Sequence, residues 1–221
     1  RMLRTLPSAD QERVPSSSRQ KKARSKARIS VQGALPTAQY EAQRALMTSP
    51  RRWRELNDAL SDNTGDVQAL TDAQQQKVRR IDRSIQAYER TNDRGHVVYA
   101  NVAMPYQINH SNLSRFVEHN FQPGDQISFD RYTAATHQLH ETTRYAAGDT
   151  AGRVAAFEIS TRRGVYLGHS DSQDNTAHLL PRGMSLEVVG THEATWRAPD
   201  GSTGTRVVVQ LRDITPEPAE Q

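Results

Sequence analysis

Residues 164–183 read GVYLGHSDSQDNTAHLLPRG, and this stretch carries much of the information about the fold. Residues 164–168 and 176–180 are short runs rich in apolar side chains, and a polar stretch separates them. Runs of this length, bounded by glycine, proline and polar residues, are typical of strands. The pattern predicts two strands joined by a polar loop.

More strands are predicted on both sides of this stretch. The predicted strands lie at 96–103, 126–132, 153–160, 164–168, 176–180, 184–191 and 205–214. In the last of them, Val207, Val209 and Leu211 face one way, while Arg206, Gln210 and Arg212 face the other, which is typical of a sheet with one buried face.

The predicted helices lie mainly before the strands. Thr71 and Gln74 have the spacing of a capping box, which marks a helix N-terminus. An apolar stripe then continues at helical spacing to about residue 90. The stripe consists of Val78, Ile81, Ile85 and Tyr88. Shorter helices are predicted at 37–48, 52–61, 113–119 and 138–146. Helices first and strands afterwards indicate an α+β fold with an antiparallel or mixed sheet.

Composition excludes several classes of protein. The chain has 221 residues, room for one ordinary domain with a tail. It has no cysteine, which excludes disulfides, thiolate zinc sites and cysteine nucleophiles. No run of apolar residues is long enough for a transmembrane helix, and we expect no membrane partner. The glycine-rich phosphate loops and the GxSxG elbow are absent from the sequence, which argues against Rossmann, P-loop and α/β-hydrolase chemistry.

The first 30 residues are strongly basic. They contain nine lysines and arginines against two acids, a local charge of +7, which leaves −3 for the rest of a chain whose net charge is +4. With almost no apolar periodicity, residues 1–33 are predicted to be a flexible arm that is extended, or ordered only by contacts outside the domain. It either binds nucleic acid or another acidic surface, or serves as a soluble linker. Because the sequence starts at Arg1, we expect a piece of a longer or processed polypeptide, or a leftover residue.

Two histidines are candidates for a metal site. His137 and His140 are three residues apart, and Glu141 follows. They lack the spacing of the zinc-protease helix and an obvious third ligand. We therefore interpret them as a polar helix surface and predict no metal.

An ordered series of short motifs runs through residues 70–215. It comprises Ile81-Asp82-x-x-Ile85, Val98-Tyr99-Ala100-Asn101, Pro123-Gly124-Asp125, Tyr132-Thr133-Ala134-Ala135-Thr136, Gly164-Val165-Tyr166-Leu167-Gly168, and Leu179-Leu180-Pro181-Arg182-Gly183 placed after Ser170. This series resembles the mono-ADP-ribosyltransferase superfamily, in its arginine–serine–glutamate branch. The order and separation of the motifs carry the resemblance, and the Leu179–Gly183 segment is its most specific part.

The resemblance implies a fold and a cofactor. The fold would be a helical N-terminal lobe followed by two facing, strongly bent small sheets, with a cleft between the 96–103 and 176–180 strands. The cofactor would be NAD, from which such enzymes transfer ADP-ribose to a macromolecular acceptor. The pocket would be lined by Tyr99, Asn101, Tyr132, Thr136 and Ser170.

The chain departs from the family at the catalytic positions. By resemblance, Ala100 stands for the arginine that holds the NAD phosphate, Ala134 for the serine, and Ala177 for the catalytic glutamate. Asn175 stands where arginine-modifying members carry a second glutamate. An amide cannot deprotonate a guanidinium, which argues against arginine as the acceptor.

Three explanations of the alanines are open. The chain is a naturally degenerate pseudoenzyme, an inactivated form of a toxic enzyme, or an active enzyme that uses Glu141, Asp171 or Asp174 instead. We expect the first, because the surroundings of Ala100 and Ala177 are similar to those in phage transferase-like proteins.

These considerations give one expected function and one alternative. The expected protein is a phage virion-associated member, of minor capsid or head type, with little or no transferase activity. It would contact phage structural proteins or DNA through residues 1–30, in the virion or the host cytoplasm. The alternative is an NAD-dependent effector or toxin, secreted or delivered to a macromolecular target. The expected domains are a basic arm at 1–33, a helical extension at 34–69 and a transferase-like domain at 70–221.

Overall fold

A computed structural model of the chain describes residues 5–91, 94–145, 148–169 and 176–217. Its helices are α1 (Ser18–Ala34), α2 (Thr37–Thr48), α3 (Pro50–Asp62), α4 (Asp72–Thr91) and α5 (Leu113–Asn120), with 3₁₀ segments at Val67–Ala69, Leu139–Tyr145 and Gly148–Arg153. Its strands are β1 (His96–Ala103), β2 (Gln126–Phe129), β3 (Thr133–Thr136), β4 (Val154–Thr161), β5 (Val165–His169), β6 (Thr176–Leu180), β7 (Met184–Arg197) and β8 (Thr203–Asp213). The predicted α+β class is confirmed.

The strands form a mixed sheet of eight in the order β2-β7-β8-β4-β1-β3-β6-β5. Strands β4 and β8 run parallel. The five-stranded part, β2 to β1, meets the three-stranded part, β3-β6-β5, at one recorded residue pair within the described ranges, Tyr99 and Thr136. The two small sheets expected from the resemblance are therefore parts of one sheet. Strand β3 lies between β1 and β6, the strands expected to border the cleft.

Helix α4 begins with the predicted capping box. The Gln74 backbone N–H donates to Thr71 Oγ1 at 3.2 Å, and the Thr71 N–H donates to Gln74 Oε1 at 3.1 Å. The predicted stripe is buried in a core that also contains Tyr166 and Leu179 of the three-stranded part. Because the stripe follows the helical period, one face of α4 is covered along its length.

The five-stranded part is covered on both faces. Helix α5 buries Leu113 and Val117 in the larger core, together with Ala100 and Phe157. A smaller cluster, which includes Val97, Tyr99 and Leu139, lies on the opposite face. Residues 5–17, here termed the N-terminal strap, also lie on this second face, where Arg13 pairs with Trp196 of β7 as an isolated parallel bridge.

The N-terminal residues differ from the expected extended arm. Residues 18–34 form helix α1, and Arg24 and Arg28 of this helix face the three-stranded part: the Arg24 guanidinium lies 5.5 Å from the Tyr166 ring centroid, and Arg28 donates to the Leu167 carbonyl at 3.2 Å. Long arginine stems can cover apolar surface while their charged ends find polar partners, so a helix without an apolar stripe can still pack. The domain boundaries at 33 and 69 remain predictions, and α1 and α2 both contact α4.

Within the described part of the chain, no helix has the length and apolar character needed to cross a membrane.

Candidate functional site

Seven residues form one line across the sheet, and we refer to them as the central row. They are Gly190, Gln210, Glu158, Tyr99, Thr136, Ala177 and Gly168, each directly opposed to the next on neighbouring strands. Opposed residues project their side chains to the same face of a sheet. The row therefore places a carboxylate, a phenol, a hydroxyl and the methyl group of Ala177 on one surface.

Several predicted site residues lie on or beside this row. Tyr99, Thr136 and Ala177 are members of it, and Ala134 lies two residues before Thr136 on β3, exposed on the same face. Asn101 lies two residues beyond Tyr99 on β1 and donates to the Thr142 carbonyl at 2.8 Å. These five positions lie on one face of the sheet, on β1, β3 and β6.

Ala100 and Tyr132 are placed elsewhere. Ala100 follows Tyr99 and points to the opposite face, where it is 1% exposed in the core beneath α5. Tyr132 is also 1% exposed, and its hydroxyl donates to Asp82 Oδ1 at 2.6 Å. Burial, reinforced by the Asp82 carboxylate, raises the pKa of this phenol. Strand alternation and helix packing thus separate both residues from the central row.

Four other predicted residues, Ser170, Asp171, Asp174 and Asn175, lie outside the described residues.

The carboxylate on the central row is Glu158, in the middle of β4 and fully buried. Arg13 of the strap donates from Nε to Glu158 Oε2 and from Nη2 to Oε1, both at 3.0 Å. Gln210 Nε2 donates to Oε1 at 2.9 Å. A bidentate guanidinium–carboxylate pair is a strong charge-assisted interaction, and here water is excluded from it.

The surroundings of this pair shift the pKa of neighbouring groups. Burial tends to lower the pKa of the Arg13 guanidinium, but the hydrogen bonds and charge of Glu158 outweigh it and the pKa lies above its ordinary value. Burial, and then the Glu158 charge, raise the pKa of the Tyr99 phenol. Burial and the Arg13 charge lower the pKa of His192, whose Nε2 lies 2.9 Å from Arg13 Nη2. Tyr99 and His192 are therefore neutral at pH 7, and the ion pair holds the charges.

A second buried carboxylate lies near the Ala177 end of the row. Glu141 is 2% exposed, and its Oε2 accepts from the Thr176 N–H at 3.0 Å and from the Thr176 hydroxyl at 2.9 Å. Thr176 directly precedes Ala177. Glu141 thus fixes the start of β6, next to the position where the resemblance expects a glutamate.

The described residues do not fit the charge arrangement that NAD transfer needs. At the Ala177 end, the row offers the Thr136 hydroxyl and a methyl group, and the hydroxyl already donates to the Gln138 carbonyl at 2.9 Å. The row's carboxylate belongs to Glu158 and is paired with Arg13. We therefore derive no transfer step from this site.

His137 belongs to a buried cluster with His96 and His178. The ring centroids are 4.9 to 5.4 Å apart. His178 Nε2 lies 3.2 Å from the Arg163 carbonyl, which can only accept, so Nε2 carries the proton and Nδ1 accepts from His137 Nε2 at 3.0 Å. Burial lowers the pKa of His178 to about 3, and the His96 charge adds to this. The three rings pack against one another in the interior, in contrast to the expected polar surface around His137. Among the described residues, no three His, Asp or Glu side chains are arranged to hold a metal ion.

Sequence analysis did not single out Glu158 or Arg13. A signal for Glu158 was present, because it is the only charged residue in the strand VAAFEIST and such a residue needs a partner when buried. No local sequence pattern distinguishes Arg13 from the other eight cations of residues 1–30, because its partner lies 145 residues away.

Comparisons with known proteins place the fold. No protein-family model matches the chain, and no curated protein matches it. Solved structures do match. The enzymatic component C2-I of the C2 toxin from Clostridium botulinum aligns with a TM-score of 0.66 at 15% identity, over 91% of this chain and 48% of that chain. The chain thus spans about half the length of C2-I.

Two shorter structures match over nearly their whole length. C3stau2 from S. aureus, solved with NAD, aligns with a TM-score of 0.64 at 13% identity, over 95% of this chain and 100% of that chain. Plx2a, an ADP-ribosyltransferase toxin from Paenibacillus larvae, aligns with a TM-score of 0.61 at 15% identity, over 89% and 95%. The chain has the ADP-ribosyltransferase-like fold, and identities this low show the fold alone.

Proposed function

We propose that this protein is an ADP-ribosyltransferase-fold member with little or no NAD-dependent transferase activity, retained as a virion-associated binding or structural protein of a phage. The observation that carries the proposal is the central row. It has a methyl group at Ala177, and its carboxylate, Glu158, is bound by Arg13.

The chemistry supports loss of activity. By resemblance, the family's glutamate stabilises the positive charge that develops on the ribose, and removing such a group costs on the order of a hundredfold or more in rate. Glu158 does not replace it, because it lies three strands away, about 14 Å measured along the sheet. Weak binding of NAD without turnover is compatible with the remaining polar groups.

A second candidate function is an active NAD-dependent transferase, delivered as an effector or toxin. One observation favours it: the Glu141 carboxylate is hydrogen-bonded to Thr176, the residue beside Ala177. The near-complete burial of Glu141 argues for the first proposal.

Nicotinamide release from NAD distinguishes the two candidates. We expect only a trace rate for the chain as written, and a gain of at least tenfold for the Ala134→Ser/Ala177→Glu double variant. Ala100→Arg is left out, because that position is buried in the core. Substantial turnover by the unaltered chain, lost in Glu141→Gln, would establish the second candidate. The matched control is Glu193→Gln, an acid outside the row on β7.

The proposed partner surface is the outer side of α1. The helix contains six cations and no acid, and Arg19, Lys22 and Lys26 are exposed, whereas Arg24 and Arg28 face the sheet. A cluster of this kind suits DNA phosphates or acidic phage proteins. DNA binding that weakens steeply with salt, and that Lys22→Gln/Lys26→Gln reduces, supports this surface. Binding that is unchanged in that variant would exclude it.

A further inference from the structure

The contacts of the N-terminal strap are concentrated in one side chain. Arg13 is 6% exposed, while its neighbour Val14 is 58% exposed. Glu12 makes a more exposed contact with Arg197 at 3.2 Å. The strap is therefore held mainly by the arginine and by its own backbone.

The backbone contacts are those that a separate peptide makes when it adds to a sheet. The Arg13 N–H donates to the Thr195 carbonyl at 2.8 Å, and the Arg197 N–H donates to the Arg13 carbonyl at 3.0 Å. Strand β7 pairs there with β8 on one side, and β2 pairs only with residues 184–187, so the strap occupies the other side. Main-chain bonds of this kind give affinity without regard to sequence, and a side-chain site gives the specificity.

Two polar contacts fix the ends of the strap. Gln210 Nε2 donates to the Pro7 carbonyl at 2.5 Å. Further along, the Ser16 N–H donates to Gln138 Oε1 at 3.0 Å, and Gln138 Nε2 donates back to the Ser16 hydroxyl. Both glutamines belong to the folded body, so the body presents the donors and acceptors that an extended segment needs.

The side-chain site is selective for a guanidinium. Glu158 is fully buried, and a buried carboxylate needs a cation with matching hydrogen bonds. Arg13 supplies two parallel N–H groups to it and directs Nη1 to the Ser8 carbonyl at 2.8 Å. A lysine ammonium has no planar fork and cannot reproduce this arrangement.

We propose that the face around Glu158 is a receptor site for an arginine on an extended polypeptide segment, and that residues 5–17 fill it as a tethered ligand. A cavity of about 160 Å³ remains between the strap and the sheet, lined on the sheet side by Val97, Tyr99 and Leu139. This space accommodates other side chains beside the arginine. When the strap is displaced, the site binds an arginine-bearing segment of another polypeptide. The proposal is independent of NAD chemistry.

Peptide binding to the full-length chain tests it. The probe is a fluorescein-labelled peptide of residues 5–17, TLPSADQERVPSS, followed by fluorescence anisotropy. We expect the Arg13→Ala chain to bind this peptide at least tenfold more tightly than the unaltered chain, whose site is filled. A peptide with citrulline at position 13 has the same shape without the charge, and we expect it to bind at least tenfold more weakly.

Two matched variants make the result specific. Arg19→Ala removes an exposed arginine of α1 and should not create binding. Glu158→Gln in the Arg13→Ala chain should abolish the preference for arginine over citrulline. If circular dichroism shows that Arg13→Ala does not fold, Arg13→Lys, which keeps a cation at Glu158, serves as the host for the same peptides. Equal binding of the arginine and citrulline peptides by either host, or no binding by a folded Arg13→Ala chain, overturns the proposal.

Discussion

Two positions of the central row, Glu158 and Ala177, differ in charge. In the five-stranded part, Glu158 is a buried carboxylate that is matched by Arg13 and Gln210. In the three-stranded part, the row has Ala177, which is half-buried and opposite Thr136, and which we expect from the resemblance to stand for a glutamate. One sheet face thus carries a complete ion pair at Glu158 and, at the Ala177 position, a methyl group opposite the Thr136 hydroxyl.

This difference separates residues that affect stability from residues that affect activity. Removing the cation from a buried carboxylate lowers the free energy of unfolding, so the ion pair at Glu158 is needed for stability. Ala134 is exposed and Ala177 is half-buried, so substitutions at these positions should change the free energy of unfolding little. The comparison predicts that substitutions at the two ends differ in kind: changes at Glu158 or Arg13 alter stability, and changes at Ala134 or Ala177 alter activity.

The largest expected effect concerns the face opposite the row. Ala100→Arg places a cation in the core beneath α5, and we expect it to lower the free energy of unfolding by more than about 4 kcal/mol or to prevent folding. Urea unfolding measures this. Ala134→Arg, at an exposed position on the row's face, is the control and should change stability by less than about 0.5 kcal/mol. If both variants are equally stable, Ala100 is not buried on the face opposite the row, contrary to this prediction.

The second prediction addresses the ion pair. Arg13→Ala leaves Glu158 buried without its cation, and we expect a loss of about 3–5 kcal/mol in the free energy of unfolding. The double variant Arg13→Ala/Glu158→Gln should recover part of this loss, because the uncompensated charge is gone. A loss below about 1 kcal/mol would show that the strap contributes little to the folded state.

The third prediction concerns acid. His178 is protonated near pH 6.5 when unfolded, but its pKa in the folded protein is about 3, so between these values the unfolded state binds a proton that the folded state does not. Stability is therefore lost as pH falls below 6.5, by up to about 1.4 kcal/mol per pH unit. Urea unfolding at pH 7, 6, 5 and 4 measures the slope. His178→Gln should be less pH-dependent than the unaltered chain, and an unchanged slope would assign the effect to other groups.

The smallest expected effect comes from an exposed pair in the same sheet. Arg212 Nη2 lies 3.0 Å from Glu187 Oε2, and the Arg212 side chain is 53% exposed. Arg212→Ala should cost less than about 1 kcal/mol, and the cost should vanish in 1 M salt, whereas the cost of Arg13→Ala should persist. A salt-sensitive effect at Arg13 would show that water reaches the Glu158 pair.

Local patterns predicted the elements well. The Thr71–Gln74 capping box and the apolar stripe of α4 act within one segment, and both are present in the structure. Alternation in residues 205–214 likewise predicted β8, observed at Thr203–Asp213. These features depend on neighbours a few residues apart, which is the range that sequence patterns report.

The site was predicted less completely, for two physical reasons. Motif order predicted that Thr136 and Ala177 lie together, but it also assigned Tyr99 and Ala100 to one pocket, although consecutive residues of a strand face opposite sides of the sheet. The role of the basic residues depends on long-range partners: Arg13 finds Glu158, and Arg28 finds the Leu167 carbonyl. Composition alone predicted an extended arm for the same residues, because charge gives no information about a partner more than a hundred residues away.

The joint at Tyr99 and Thr136 has a mechanical consequence. Strands β1 and β4 share a ladder of eight residue pairs and form a stiff plate, whereas β1 and β3 share one. The angle between the two plates is therefore set less by backbone bonds than by side chains that cross the hinge line, such as the His96–His178 ring contact and the Ser16–Gln138 bond. That angle determines how far Ala177 lies from Glu158. We therefore expect protonation of His178 or release of the strap to change this angle, and with it the distance between Ala177 and Glu158.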